Sequence, residues 1–278
     1  MTPGFMDLAR AVVPPIALRA VAKAKRTLFP AASAWRAVES WPRSDVGIWG
    51  AYWASQGIEN VSAEDAAYRS GGALNIPLDA PTRINFLAFA SLVSRHAVDS
   101  RATRLSIIDF GGGFGVFSRI AQWAAPGVSI EYHVVDVPAV AEMGQALRPD
   151  ISFHGDLSDA PDQADIVMAS GALQCCEDWR SVLSNLAGRA RRSLYLSRLP
   201  MVQDIPSFVL VQRMPHGGTS HGWAWNAGEL QAEIKKLGLS RAADFALGDL
   251  PPVAGARGLV QSRAWVVEKP QILANYTR

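Results

Sequence analysis

Between Arg104 and Gly127 the chain changes character twice. The apolar run Leu105-Ser106-Ile107-Ile108 ends in Asp109-Phe110-Gly111-Gly112-Gly113-Phe114-Gly115, and a helical spacing of Val116, Phe117, Ile120, Ala121 and Trp123 follows, stopped by Pro126-Gly127. That order predicts a strand, a glycine turn and a helix. Glycines at such a turn admit positive φ and let backbone approach a ligand, while the helix start behind them presents unpaired N–H groups. A small cofactor is the expected occupant.

Spacing narrows its identity. The dinucleotide fingerprint Gly-x-Gly-x-x-Gly would need its third glycine at Val116 if counted from Gly111, or at Ser118 if counted from Gly113. Both registers fail, which disfavours a nicotinamide-dependent oxidoreductase. What stands instead is Asp-x-Gly-x-Gly-x-Gly, carried by Asp109, Gly111, Gly113 and Gly115. This resembles the first motif of the class I methyltransferases that use S-adenosylmethionine (SAM). The resemblance implies an α/β fold with a Rossmann-like sheet, helices on both of its faces, and SAM as cofactor.

Later motifs follow in that family's order. The β-rich run Ile130 to Val135 ends at Asp136, 21 residues after Gly115, and a carboxylate at such a strand tip can accept hydrogen bonds from both ribose hydroxyls. Val135-Asp136-Val137-Pro138 also resembles the acid-apolar-proline signature of small-molecule O-methyltransferases, which brings Val137 into the cofactor site. A third strand, Ile151 to His154, leads to Gly155-Asp156-Leu157; the resemblance places Asp156 near the adenine amino group and Leu157 against the ring. A fourth strand over 164–169 precedes Ser170, in a loop that the family sets beside the methionine part of the cofactor. A helix over 178–189, a fifth strand over 193–197, a helix over 227–237 and an antiparallel pair at 242–247 and 262–267 complete the expectation. More narrowly, Asp109-Phe-Gly-Gly-Gly, Ala169-Ser-Gly-Ala-Leu-Gln, Arg198-Leu-Pro and Val211-Gln212 look like an uncharacterised bacterial methyltransferase family frequently associated with cell-surface polysaccharide genes.

Transfer to a hydroxyl benefits from a general base, for which histidine is the usual side chain. His216 and His221 fall within Met214 to Trp225, a glycine-rich stretch expected to be a loop on the cofactor side, with Trp223 and Trp225 shaping an acceptor pocket. Arg198 ends the fifth strand and either holds an anionic acceptor or forms a structural ion pair. His96, near a helix end, is placed where positive charge is favoured. The expected activity is O-methylation of a saccharide or related small molecule; the rival is a catalytically inactive binding module of the same fold in surface-glycan assembly.

Composition excludes other classes. Lys plus Arg number 27 against 25 Asp plus Glu, a net charge of +2, too balanced for a dedicated nucleic-acid binder. The two cysteines, Cys175 and Cys176, are adjacent and supply neither a disulfide framework nor a zinc site. No apolar run has the length needed to span a bilayer, and a cytoplasmic protein is expected. Residues 1–26 are basic and amphipathic, a pattern that suits peripheral contact with an anionic membrane. Residues 33–74 are rich in Trp and Tyr, with Trp35, Trp41, Trp49 and Trp53 placed to pack or to wall a pocket. The expected organisation is a helical N-terminal cap over 1–100 and a SAM-binding domain over 101–278.

Overall fold

The computed structural model describes residues 35–41, 79–213, 219–256 and 258–269. The expected basic segment at 1–26, Trp49, Trp53 and His216 lie outside the described residues.

Strand β1 spans Trp35–Val38, helix α1 Ala80–Asp99, β2 Arg104–Phe110, α2 Val116–Ala124, β3 Ser129–Val135, α3 Pro138–Leu147, β4 Ser152–His154 and β5 Ala164–Ser170. Then come α4 Trp179–Arg189, β6 Ala190–Val202, β7 Phe208–Arg213, β8 Thr219–Asn226, α5 Ala227–Lys236, β9 Ser240–Asp249 and β10 Gln261–Glu268. The main sheet has the order β4-β3-β2-β5-β6-β10-β9; its first five strands are parallel, and β10 runs antiparallel to both β6 and β9. This is a Rossmann-like α/β sheet with helices on both faces.

Alternation along the central strands explains those helices. Ile107, Val134, Ile166, Met168 and Tyr195 pack with Phe86, Phe89 and Leu92 of α1 and Phe117 and Ile120 of α2. Their neighbours Ile108, Val135, Val167, Leu194 and Leu196 turn to the other face, against Trp179 and Leu183 of α4 and Leu230 and Ile234 of α5. A strand buried on both sides must be apolar at every position, and that continuity made it legible. Helix α1 starts where Asp79 accepts the Thr82 N–H at 2.9 Å, with proline in its first turn, a cap that supplies one of the donors a helix start leaves unpaired.

Three expectations change. The segment before residue 100 contains a strand as well as α1: Trp35–Val38 pairs antiparallel with Val209–Gln212 of β7, and β1 and α1 belong to the same compact unit as the main sheet. The stretch expected to be a loop contains β8, paired antiparallel with β7 over Thr219–Ala224. Strands β1, β7 and β8 thus form a small antiparallel extension, joined to the main sheet where Met201 and Val202 pair with Trp225 and Asn226. His96 does not carry charge: it is buried with Nε2 2.9 Å from Ser193 Oγ, and burial, aided by Arg192 and Arg95, pulls its pKa down to about 4.

Among the described residues no helix is long and apolar enough to cross a membrane. Phe89 is fully buried and meets Phe117 edge to face at 5.1 Å. Phe89→Ala is expected to cost about 3–5 kcal/mol in urea denaturation, whereas Leu87→Ala, on the exposed side of the same helix, should change stability by about 0.5 kcal/mol or less.

Candidate active site

The carboxyl ends of the parallel strands open into one cleft of about 1000 Å³, at the upper end of the range for small-molecule sites. Successive strand ends are tied together around it. The Gly111 N–H donates to Val135 O at 2.7 Å, Asp136 N–H to His154 O at 3.1 Å, and Gly171 N–H to Ser197 O at 2.9 Å.

The glycine loop is fixed by what each glycine meets. Gly111 has φ +68° and a Cβ there would overlap Ala172; Gly112 lies directly over the Asp109 carboxylate; Gly115, at φ +73° and the start of α2, faces Ile151. Of these, Gly111 is on the cleft wall, while Gly113 and Gly115 are buried behind it. Their burial fixes the course of the loop. Asp109 lies beneath it. Its side chain has no exposure, Oδ2 accepts the Tyr132 O–H at 2.7 Å, and Oδ1 is buried without a hydrogen-bond partner among the described residues. Burial drives its pKa up to about 7 against the opposing Tyr132 bond, and the nearby Asp136 adds to the rise.

Asp136 does reach the cleft. Oδ2 accepts the Gly113 N–H at 2.9 Å and Oδ1 the Val137 N–H at 2.8 Å. Burial raises its pKa while those two donors pull it back. A carboxylate has about four acceptor positions, so each oxygen keeps capacity toward the cleft. Val137, Asp156, Leu157 and Ser170 stand on the same wall. Asp156 directs Oδ1 to the Ser158 N–H and O–H, at 2.8 and 2.7 Å. Ser170 Oγ accepts from Asn85 Nδ2 at 3.2 Å, and Asn85 Oδ1 in turn accepts the Tyr195 O–H at 2.7 Å, so α1 braces the end of β5.

His221 sits on β8, where cross-strand pairing sets its neighbours. Trp35, Gln212 and Ser220 are partners across the three strands of the extension, and all three line the cleft. His221 is one residue on, so its ring projects from the opposite face, tilted against Trp41 at 6.1 Å, with Trp223 stacked on the same indole at 6.0 Å. His221 itself also lines the cleft. Trp225 shapes no pocket: it is fully buried, edge to face with Trp179 at 5.6 Å. Cys175 and Cys176 line the wall, but burial pushes their thiols up to about 12 and about 11, leaving neither as a thiolate nucleophile at neutral pH.

The wall contains Trp35, one of the tryptophans expected to pack or to wall a pocket, and also Thr82, Gln174, Gln212 and Ser220, which the sequence reading did not assign to a site. The signal for the last two was present: Ser220, Gly222 and Ala224 alternate with His221 and Trp223, a period of two that glycine content disguised as a loop.

A comparison with models of known protein families finds no match, and no curated protein matches the chain. Solved structures do resemble it. The magnesium protoporphyrin IX methyltransferase of Synechocystis PCC 6803, with bound SAM, aligns over 82% of this chain and 100% of its own, at 17% identity and a TM-score of 0.50. The Burkholderia thailandensis 1,6-didemethyltoxoflavin-N1-methyltransferase, with bound 1,6-didemethyltoxoflavin and S-adenosylhomocysteine, aligns over 84% and 93%, at 13% identity and a TM-score of 0.50. These likenesses concern the fold, which is that of the class I methyltransferases.

Because the folded pKa of Asp109 lies above its unfolded value, its favourable neutral form is fully present below about pH 4 and is lost as pH rises through about 7. Asp109→Asn keeps an acceptor for Tyr132 and does not titrate. Its stability relative to the parent, followed by urea denaturation across that window, should therefore improve steadily as pH rises.

Proposed function

We propose that the chain transfers a methyl group from SAM to a hydroxyl of a saccharide or related small molecule. The observation that carries the reading is the gathering of Gly111, Asp136, Asp156 and Ser170 around a single cleft at the ends of adjacent parallel strands. SAM supplies a methyl group on a sulfonium whose departure leaves a neutral thioether. The chain's task is then alignment and exclusion of water.

Asp136 would hold the ribose hydroxyls with the acceptor capacity left on its oxygens. Val137 and Leu157 would flank the adenine, with Asp156 near its amino group. Ser170 and Gly171, fixed by Asn85 and by Ser197 O, would border the methionine part. Gly111 leaves room for close approach, because no side chain stands between its backbone and the cleft. In this reading the acceptor's proton passes to His221 of the cleft wall, or to His216. The residues before 101 act as a cap, to which Trp35, Asp79 and Thr82 already contribute wall. The saccharide acceptor rests on the sequence resemblance, a cytoplasmic location on composition, and a membrane-touching role for residues 1–26 on their basic, amphipathic sequence. An inactive binding module of the same fold is not favoured, since it has no need of an acid poised at each of two neighbouring strand ends.

The test is calorimetric titration of the purified chain with SAM and S-adenosylhomocysteine, with NAD as control. Saturable binding of the first two and none of NAD is expected; no binding of either removes the methyltransferase reading. Asp136→Ala should weaken SAM binding by about tenfold or more, the scale of a lost charge-assisted hydrogen bond, without lowering the melting temperature.

A further inference from the structure

Charge on the cleft wall is distributed unevenly. Four carboxylates line it, and each already accepts a donor from the protein: Asp79 from Thr82 N–H, Asp136 from Gly113 and Val137 N–H, Asp156 from Ser158, and Asp249 from Gln261 Nε2 at 3.2 Å. Among the described residues one Lys or Arg lines the same wall, and it is Arg198. A guanidinium carries five N–H donors in a planar fork. Here it makes one long contact, Nη2 to Thr82 Oγ1 at 3.5 Å, and no ion pair within 4 Å among the described residues. The Asp79 carboxylate senses its charge but is committed through Oδ1 to capping α1.

The backbone aims this side chain. Opposite β10, the pairs Arg263–Leu199 and Trp265–Leu196 leave Ser197 and Arg198 facing the single residue Ala264. That is a β-bulge, a device that re-aims a side chain. Arg198 adopts φ +54°, left-handed and unfavourable for a residue with a Cβ. Its carbonyl accepts Gln174 Nε2 at 3.3 Å, and its aliphatic stem runs beside Gly171, so the guanidinium emerges next to the loop that ends β5.

We infer that Arg198 is the anion-binding residue of the cleft: its unpaired fork takes a carboxylate or phosphate group of the bound ligand. Identifying that group as the cofactor's own carboxylate or as an anion on the acceptor rests on the methyltransferase reading; the anion site does not. Bidentate recognition of planar or tetrahedral oxyanions is what a guanidinium provides and an ammonium only partly reproduces.

The experiment compares the full chain with Arg198→Gln and Arg198→Lys, all shown to be folded by their melting curves. Inorganic phosphate, S-adenosylhomocysteine and methylthioadenosine, which lacks the amino-acid carboxylate, are titrated by calorimetry. Phosphate affinity should fall by about tenfold or more in Arg198→Gln and by less in Arg198→Lys. If the anion is the cofactor's, Arg198→Gln weakens S-adenosylhomocysteine but not methylthioadenosine, and S-adenosylhomocysteine displaces phosphate from the parent. If it belongs to the acceptor, S-adenosylhomocysteine affinity is unchanged and phosphate binds the parent saturated with it. The inference is overturned if Arg198→Gln leaves S-adenosylhomocysteine affinity unchanged and phosphate either binds it as tightly as the parent or binds neither. A parent that binds neither adenosyl compound removes the methyltransferase reading alone, and the phosphate titration still judges Arg198.

Discussion

Everything at the cleft depends on how closely the glycine loop lies over the ends of β2, β3 and β5. Beneath it Asp109 is held by the Tyr132 O–H, donated from the neighbouring strand. Above that carboxyl the loop has no room for side chains: Gly112 sits on Asp109 itself, Gly111 against Ala172, and Gly115 against Ile151. Three glycines are thus required by three different neighbours. Asp136, at the end of β3, then reaches back to the loop through Gly113 N–H. The acid that faces the cleft thus stands near the acid that lies under it, and adds to the rise that burial gives the Asp109 pKa.

The face of the sheet decides what each strand end can offer. Side chains one residue apart diverge to opposite layers, so only residues at or beyond the last paired position can point along the strand axis into the cleft. Ser170 is such a position on β5, whereas Arg198, inside β6, is re-aimed by the bulge opposite Ala264. The alternation along β8 sets Ser220 and Gly222 on one face of the ribbon and His221, tilted against Trp41, on the other, and both Ser220 and His221 line the cleft. A histidine beside two tryptophans in a glycine-rich stretch reads as a reactive loop; as a strand it reads as one face of a ribbon.

The parallel strands were legible because burial on both faces leaves no choice of residue type, and their ends were legible because glycine and aspartate are punctuation there. Helix α1 is written in the helical spacing of Phe86, Phe89 and Val93, and the closing pair β9–β10 was expected at 242–247 and 262–267. The extension was not. Strand β1 is four residues long, too short for a period, and its partner β7 lies far along the chain. Nor could the motif reveal that Asp109 supports the loop and does not line the cleft, because that depends on a hydroxyl delivered by β3. The burial of His96 was hidden for the same reason, since Ser193 reaches it from a distant strand and itself donates to Glu268 of another.

One strand, β6, connects the two parts of the structure. It pairs with β5 and β10 in the main sheet and, past the bulge, with β8 in the extension. A bend there is a requirement of the topology, and glycine would satisfy it without strain. An L-residue held left-handed costs about 1–3 kcal/mol; the Gln174 bond to its carbonyl and the run of its stem beside Gly171 hold Arg198 there, while its guanidinium lies in the cleft with a single long contact. The bulge accounts for the backbone conformation but not for the arginine. Arg198 stands within the one strand that pairs with β5 of the main sheet and with β8 of the extension, and its guanidinium reaches the wall the two share.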